Sequence, residues 1–345
     1  MKLNAVHNVL VAAIKAHANV LLVSKPGIGK TEIQDASARI AKAQNFIMRP
    51  SVSDPTDFKG FPMVIDGIPS FVPFDELKNV FDAIMDKVLC TLFLDDLGQA
   101  PNSVQAGAMQ LMDRLKGKVA VIAATNNRTD RAGVQGLLEP VKSRFATIIN
   151  VESDVDTFTN HLIDNGAAYG LDDDAIIDIV SFIRLRPDLL HQFVPTQDLV
   201  NQPCPRTWVA GIGKIIMLRL PLPDELECFK GAIGEGPAAE FTAFRRVRAD
   251  MPNLDNILID PRKSLIPEKP SVLYAVATGL ATKVNASNFS RYLSYLQRLY
   301  DDSKGEFAAM SIRDALRRNK ALVNTADFTK MITGTDLGKL ISGDA

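Results

Sequence analysis

The most chemically informative part of the sequence is a short glycine-containing turn that follows an apolar run. Residues 20–23 are apolar, and the chain then reads Ser24-Lys25-Pro26-Gly27-Ile28-Gly29-Lys30-Thr31. Glycines let consecutive backbone N–H groups curl around phosphate oxygens, a lysine reaches the terminal phosphates, and a hydroxyl binds Mg²⁺ at a helix N-terminus. The segment has the layout of a P-loop and predicts binding of a nucleoside triphosphate.

This turn departs from the P-loop pattern at one position. The first glycine of G-x-x-x-x-G-K-[ST] would fall at residue 24, which is a serine. Gly27 still supplies backbone freedom inside the loop. An accidental glycine-rich turn is the alternative for this motif taken alone. The residues predicted to hold the nucleotide are Ser24, Lys25, Pro26, Gly27, Ile28, Gly29, Lys30, Thr31 and Glu32.

A second segment is an apolar run that ends in two carboxylates. Residues 92–94 are apolar and precede Asp95 and Asp96, as in a buried parallel strand that presents acids at its carboxyl end. This is a Walker B pattern. Asp95 and Thr31 would hold Mg²⁺, which keeps several waters and binds few carboxylates directly, and Asp96 would polarise the attacking water. Two solvated aspartates at a strand end are the weaker interpretation, because a P-loop lies upstream.

Composition limits the classes of protein that fit these motifs. The chain has 345 residues, which exceeds a typical single domain. Its 39 Lys and Arg residues against 40 Asp and Glu residues give a formal net charge of -1. There is no global basic field to drive nonspecific nucleic-acid binding, so nucleic acid is a possible but unsupported partner.

The cysteines and the apolar runs point to no other class of protein. The three cysteines lie far apart without a C-x-x-C pair, which favours reduced structural thiols over metal ligands or disulfides. No apolar run reaches membrane-spanning length, and the first residues lack the layout of a signal peptide. We expect a cytoplasmic protein with no membrane partner.

Apolar runs alternate with helical periodicity in the first half of the chain. The predicted strands are residues 19–23, 45–49, 91–95, 119–125 and 146–151, with helices between them. This pattern predicts an α/β fold with a parallel five-stranded sheet that is covered on both faces.

One local feature interrupts that alternation. Apolar residues flank Asp66-Gly67, which is a signal for a two-residue hairpin, and the stretch 54–60 precedes it. Two interpretations have about equal weight. The hairpin either covers a helix at the surface or projects toward the pore of a ring.

The chain beyond about Ser153 is predicted to be helical. Asp173 and Asp174 would open a helix over residues 175–183, because a helix N-terminus favours negative charge. Pro205 stands where another helix could begin.

Two further patterns lie near the end of the chain. Aromatic and leucine residues repeat at helical spacing over residues 289–300 and favour core positions. The proline-rich stretch 252–270 is expected to be irregular and to separate a first helical unit from a last one.

Several segments together resemble the AAA+ ATPases. The predicted strand 119–125 leads into Asn126 and Asn127, and Ser143-Arg144-Phe145 places an arginine just before the last predicted strand. With the P-loop and the Walker B pattern, this is the AAA+ arrangement. The stretches 54–60 and 95–106 more narrowly resemble the MoxR-like ATPases encoded in bacterial and phage genomes.

The resemblance implies roles for individual residues. Asn126 fits the sensor 1 position, and Asn127 is the competing assignment. Arg144 looks like an arginine finger that reaches the nucleotide of a neighbouring subunit. Arg206 resembles a sensor 2 residue that touches the γ-phosphate. The predicted catalytic residues are Asp96, Asn126, Arg144 and Arg206.

The resemblance also implies an organisation and a function. It predicts an AAA+ nucleotide-binding domain over residues 1–152, a helical lid with sensor 2 over residues 153–240 and a helical C-terminal extension over residues 241–345. ATP and Mg²⁺ are the implied ligands, and a homo-oligomeric ring, most simply a hexamer, is the implied assembly. MoxR relatives commonly work with a protein that carries a von Willebrand factor A domain, so such a client or adaptor is the implied partner.

Two more departures from the family pattern bear on the rate of hydrolysis. Asp96 stands where most relatives have glutamate, which shortens the reach to water by one methylene. Residues 115–118 leave little room for the long hairpin that many MoxR proteins carry before sensor 1. We therefore expect secure nucleotide binding and slow turnover.

Two rival functions have weaker support. Residues 95–98 match the D-x-x-G of GTPase switches and residues 127–130 approximate N-K-x-D, but the interval is short and arginine replaces the lysine. An AAA+ ATPase that acts on DNA or RNA is the second rival. Its support is the basic segments 244–248 and 317–320, which are more often solvated helix faces.

Overall fold

A computed structural model describes residues 1–130, 136–196, 199–248 and 251–342. These residues form two compact units. The first runs from Met1 to Asp154 and includes a short segment that begins at Phe193, and the second starts at Val155 and contains the rest.

The described residues of the first unit form seven strands in two sheets. They are β1 (Val20–Ser24), β2 (Gln44–Met48), β3 (Phe61–Ile65), β4 (Ile68–Val72), β5 (Cys90–Leu94), β6 (Ala120–Asn126) and β7 (Thr147–Asn150). The large sheet is parallel with the order β2-β5-β6-β1-β7, and β3 pairs with β4 alone. All five predicted strands are confirmed, with ends that agree to within one residue.

Helices connect the strands and cover both faces of the large sheet. They are α1 (Leu3–Lys15), α2 (Lys30–Ala41), α3 (Pro55–Lys59), α4 (Asp75–Met85), α5 (Asn102–Leu115) and α6 (Glu139–Lys142). Successive strand residues point to opposite faces, so Leu92 and Leu94 enter a core with α4 and α5, whereas Phe93 enters a core with α1 and α2. Burial on both faces explains the continuous apolar runs. Helix α1 was not predicted from the sequence.

The β3–β4 hairpin is confirmed. Asp66 and Gly67 have φ values of 49° and 77°, as a tight turn with two left-handed residues requires. Every residue of β3 is exposed, and Val64 and Ile68 are 70% and 64% exposed. The hairpin therefore does not cover a helix with an apolar face.

The second unit is helical. Its helices are α7 (Val155–Asn165), α8 (Asp173–Leu185), a π-helix (Thr207–Gly213), α9 (Lys214–Met217), α10 (Leu222–Ile233), α11 (Glu235–Arg248), α12 (Leu254–Ile259), α13 (Pro270–Lys283), α14 (Phe289–Asp301), α15 (Gly305–Arg318), α16 (Ala326–Gly334) and α17 (Asp336–Ser342). No strand follows Asn150 in the described part of the chain. Across the described ranges, no helix combines the length and apolarity needed to span a bilayer.

The predicted helix signals in this unit are largely confirmed. Asp172 caps α8 by accepting a hydrogen bond from the Ala175 N–H at 2.8 Å, and a helical stretch begins at Pro205. The repeat over residues 289–300 forms α14, whose aromatic and leucine side chains are mostly buried.

The stretch 252–270 is not irregular throughout, so that prediction is wrong in part. It contains α12, because the Asn253 side chain accepts hydrogen bonds from the Asp255 and Asn256 N–H groups and caps the helix. Two hydrophobic clusters fill the second unit. One contains Trp208 and Phe241, and the other contains α12 to α15.

The basic segment 244–248 is not a solvated helix face. Asp178, which is 2% exposed, accepts a hydrogen bond from Arg245 Nε at 2.9 Å and another from Arg248. Arg245 also donates to Glu225 at 2.6 Å, so two arginines of this segment are engaged in ion pairs between α8, α10 and α11. Arg317 and Arg318 pair with Asp164 and Asp173 on α7 and α8. The support for a nucleic-acid interface is correspondingly reduced.

Asp178→Ala should destabilise the second unit strongly. The substitution leaves Arg245 and Arg248 without their shared buried carboxylate, and breaking a buried pair costs about 3 kcal/mol or more. Denaturant unfolding measures this loss. Asp188→Ala is the control, because it removes an exposed pair with Arg186 and should change the free energy of unfolding by less than about 1 kcal/mol. Equal effects would show that burial of Asp178 contributes little.

Candidate nucleotide site

The strand order brings three polar segments to one edge of the large sheet. β6 lies between β5 and β1, and Ser24 at the end of β1 is in register with Asn126 at the end of β6. The carboxyl ends of parallel strands share an edge. The P-loop after β1, the acids after β5 and the amide of Asn126 therefore meet there.

The P-loop geometry depends on two glycines and a helix start. Gly27 and Gly29 have φ values of 75° and 95°, a region that side-chain-bearing residues rarely occupy. Gly29 is the N-cap of α2, and no side chain caps this helix end. The N-terminus of a helix is a site that favours an anion. Lys25 and Glu32 are exposed beside the loop, and Ile28 is buried.

Lys30 lies within the site. It is 8% exposed, and its Nζ donates to Ser24 Oγ at 3.0 Å and to Asn126 Oδ1 at 2.7 Å. The unusual serine is therefore an additional hydrogen-bond acceptor for the P-loop lysine. Pro26 completes the loop between these residues and is half-buried.

The two asparagines after β6 point to different partners. Asn126 contacts Lys30, whereas the Asn127 side chain donates to Asp130 Oδ2 at 2.9 Å. This geometry favours Asn126 over Asn127 as the residue that can approach a γ-phosphate. It also weakens the GTPase interpretation, because Asn127 and Asp130, which an N-K-x-D motif would use for guanine, bond each other.

The residues predicted to hold Mg²⁺ are in contact. Thr31 Oγ1 donates to Asp95 Oδ2 at 3.1 Å, and hydroxyl and carboxylate oxygens are suitable ligands for Mg²⁺. Over the described ranges, no group of three or more His, Cys, Asp or Glu side chains could hold a metal ion. This donor set therefore fits an ion that takes most of its ligands from phosphate and water.

Asp96 follows Asp95 in an unusual backbone conformation. Its φ is 58°, in the left-handed region that aspartate tolerates better than most residues. It begins the 3-10 turn Leu97–Gln99. This turn follows directly after the end of β5 and Asp95.

Arg144 lies at the opposite edge of the sheet from the P-loop. Its carbonyl accepts a hydrogen bond from Asn19 Nδ2 at 3.0 Å, and Asn19 immediately precedes β1. Strand β1 has five residues, and at about 3.3 Å per residue its two ends are roughly 16 Å apart. Arg144 is therefore far from the P-loop of its own chain.

The side chain of Arg144 is held by an acidic residue of α5. Its Nε and Nη2 donate to the two carboxylate oxygens of Asp113 at 2.8 and 2.7 Å, and its Nη1 donates to the Pro140 carbonyl at 2.6 Å. The hydrogen bond with Arg144 lowers the pKa of Asp113 and raises the pKa of Arg144. The pair is thus ionised at neutral pH and would be lost as the pH falls through the lowered pKa of Asp113.

Gln105 fixes the backbone of the segment that precedes Arg144. It is fully buried. Its Nε2 donates to the carbonyls of Ala100 and Gly136 at 3.0 and 2.9 Å, and its Oε1 accepts from the Leu138 N–H at 3.0 Å. Gln105 lies in the stretch 95–106 that was used for the MoxR resemblance, but its contacts could not be predicted, and Asp113 belongs to no motif with a recognisable spacing.

Arg206 belongs to the second unit. It is exposed and directly precedes the π-helix. Its predicted approach to the γ-phosphate stays a prediction, as do the catalytic roles of Asp96, Asn126 and Arg144.

The connection before β6 is short, as predicted from residues 115–118. α5 ends at Leu115 and β6 begins at Ala120, so only a short connection separates them. The long hairpin found before sensor 1 in many MoxR proteins does not occur at this position.

Several solved structures are similar to this chain. A putative ATPase from Cytophaga hutchinsonii is 18% identical with a TM-score of 0.34, and the match covers 46% of this chain and 49% of that one. The chain thus spans about half the length of that protein. The RuvB Holliday junction branch migration motor of Thermotoga maritima is 16% identical with a TM-score of 0.38 over 86% of each chain. NtrX from Brucella abortus is 14% identical with a TM-score of 0.34 over 71% of this chain and 67% of that one.

Comparison with sequence families concerns the first unit. No curated protein sequence matches the chain significantly. Residues 20–153 match the model of the ATPase family associated with various cellular activities (AAA). This match includes the P-loop, both acids after β5, Asn126 and Arg144. The similarity of this chain to the AAA family thus covers residues 20–153.

Proposed function

We propose that this protein is an Mg²⁺-dependent ATPase of the MoxR-like group that works as a ring and remodels or activates a protein partner. The observation that carries the proposal is the convergence of Lys30 with Asn126 and of Thr31 with Asp95. Four side chains from three separate segments meet where a P-loop and the N-terminus of α2 can hold phosphates.

Each residue at this edge has a distinct task in the proposed reaction. Lys30 and the N–H groups of the loop bind the β- and γ-phosphates. Thr31 and Asp95 would hold Mg²⁺, which would neutralise phosphate charge. Asp96 accepts a hydrogen bond from the attacking water and orients it, and Asn126 donates its amide N–H to a γ-phosphate oxygen.

Two arginines complete the proposed site from outside this edge. Arg206 would approach the γ-phosphate, as in the predicted sensor 2 role. Arg144 would act on the nucleotide of a neighbouring subunit, because it lies at the edge of the sheet opposite its own P-loop. A guanidinium group near the transferred phosphoryl group offsets the charge that develops there. A ring, with six subunits in the simplest case, supplies every site with such a neighbour.

The β3–β4 hairpin is the proposed contact with the protein partner. Its exposed apolar side chains include Phe61, Val64, Ile68 and Phe71, which are 58% to 70% exposed. Contiguous exposed apolar groups mark interaction sites more often than neutral surface. A hairpin that projects from the sheet unit could bind an apolar segment of a client or of an adaptor with a von Willebrand factor A domain.

Asp96→Asn should stop turnover and leave ATP binding intact. The amide keeps the shape of the side chain but cannot accept a proton or orient water as a carboxylate does, and the expected loss is on the order of 10²-fold or more. Phosphate release and calorimetry measure the two quantities. Asp96→Glu keeps the carboxylate and serves as the control, with turnover retained. Full activity in Asp96→Asn would move the water-orienting role to another residue.

The same variant tests partner binding. Asp96→Asn held on ATP should capture a protein partner that is absent when ADP replaces ATP. Adding Val64→Ser and Ile68→Ser to this variant should reduce capture, and ATP affinity should not change because both side chains are exposed. Equal capture with ATP and with ADP would contradict remodelling of a partner. Equal capture with and without the hairpin substitutions would contradict the proposed contact surface.

A further inference from the structure

The bidentate pair between Asp113 and Arg144 sets the direction of the arginine side chain. A guanidinium group has five N–H donors. Asp113 and the Pro140 carbonyl occupy three of them, and within the described residues one N–H on each Nη nitrogen has no acceptor. Both Nη nitrogens therefore keep a donor that can bind a phosphate oxygen, the kind of ligand that guanidinium groups favour.

The backbone around Arg144 is fixed by two other side chains. Asn19 donates to the Arg144 carbonyl and accepts from the Val121 N–H at 2.9 Å, which ties Arg144 to β1 and β6. Gln105 ties residues 136 and 138 to the start of α5. These contacts anchor the backbone around Arg144. The conformational freedom that remains is that of the Arg144 side chain, and the pair with Asp113 restricts it.

We propose that Asp113 is a positioning residue that holds Arg144 in the orientation needed to reach a neighbouring subunit's nucleotide. This inference rests on the proposed function of Arg144. Two physical effects support it. A bidentate pair fixes both the direction and the plane of the guanidinium group, and a preorganised arginine loses less side-chain entropy when it binds the phosphoryl group. Asp113 does not touch ATP and acts only through Arg144.

Asp113→Ala should lower turnover on the order of 10²-fold, the range expected when a catalytic group is misplaced by about 1 Å. The ATP dissociation constant of each subunit should not change, because the P-loop is at the other edge of the sheet. Asp113 is 53% exposed, so its removal leaves the fold intact. Asp82→Ala is the matched control. Asp82 is 55% exposed and pairs with Lys78 on α4, and its loss should leave turnover unchanged within about twofold.

Mixed assemblies separate a positioning role from a structural one. In the reference mixture, Lys30→Ala subunits supply Arg144 and Arg144→Ala subunits supply the ATP site. Adding Asp113→Ala to the Lys30→Ala subunit should reduce the recovered turnover by the same order of 10²-fold. Adding Asp113→Ala to the Arg144→Ala subunit should leave the recovered turnover unchanged, because that subunit supplies no finger.

Three other outcomes would contradict the inference, and each points to a different cause. Higher turnover in Asp113→Ala would mean that the pair holds Arg144 away from the neighbouring site. A loss that follows Asp113→Ala on the hydrolysing subunit would mean that Asp113 supports its own ATP site. A reference mixture without recovery would remove the action of Arg144 on a neighbour, and the failure would then lie in the proposed function itself.

Discussion

Lys30→Ala should abolish measurable ATP binding. Lys30 is the buried positive charge of the P-loop, and its Nζ lies within hydrogen-bond distance of Ser24 and Asn126 at the edge where the phosphates would bind. Without it, the β- and γ-phosphates lose their only cation from the loop interior. Calorimetric titration with ATP and Mg²⁺ measures the change directly, and turnover should vanish with binding.

Two comparisons make the Lys30 result specific. Lys15→Ala removes an exposed lysine at the end of α1 and should leave ATP affinity unchanged. In the unaltered protein, titration should show weaker binding of GTP than of ATP. The side chains of Asn127 and Asp130 form a hydrogen bond with each other, which occupies the groups that an N-K-x-D motif would use to bind guanine. Unchanged ATP affinity in Lys30→Ala would remove the P-loop assignment, and GTP binding as tight as ATP binding would restore the GTPase interpretation.

Arg144→Ala should lower turnover on the order of 10³-fold or more, the range of arginine fingers that act on a neighbouring subunit. Each subunit should still fold and bind ATP, because Arg144 is at the amino edge of the sheet and the P-loop is at the carboxyl edge. In the unaltered protein, turnover per subunit should therefore depend on assembly. It should fall when the protein is diluted below the concentration at which rings form.

Complementation gives the decisive form of this test. Lys30→Ala subunits have an intact finger and no nucleotide, and Arg144→Ala subunits have nucleotide and no finger. Mixing the two should restore part of the turnover that neither has alone. If assemblies shown to contain both subunits recover nothing, or if a proven monomer turns over at the full rate, a nucleotide-binding module that works alone becomes the better account.

The elements of the first unit were largely predictable because their signals are local. A strand buried on both faces is a continuous apolar run, and the residues that end β1 and β5 belong to contiguous motifs. The Asp66-Gly67 turn was predictable for the same reason, since both residues tolerate positive φ. In contrast, α1 precedes the first motif, and its apolar face becomes part of a core through packing against α2 and the large sheet.

Contacts between distant segments could not be predicted from spacing. Asn126 and Asn127 are adjacent and chemically identical, and only their hydrogen-bond partners, Lys30 and Asp130, distinguish them. The arginines of segment 244–248 follow a pattern that favours a solvated face, yet Arg245 and Arg248 pair with the buried Asp178. A partner that is 67 residues away along the chain leaves no local signature.

The sequence alone identified the residues proposed to bind the nucleotide, because a P-loop and a pair of acids after a strand are recognised from residue types at fixed short spacings. It also determined which segments form the sheet, since side-chain periodicity is set by neighbours along the chain. Only the tertiary structure decided which side chains meet. The order β2-β5-β6-β1-β7 brings Lys30 to Asn126 and Thr31 to Asp95, and the path of α5 brings Asp113 to Arg144, because hydrogen bonds depend on distances in space that no spacing in sequence specifies.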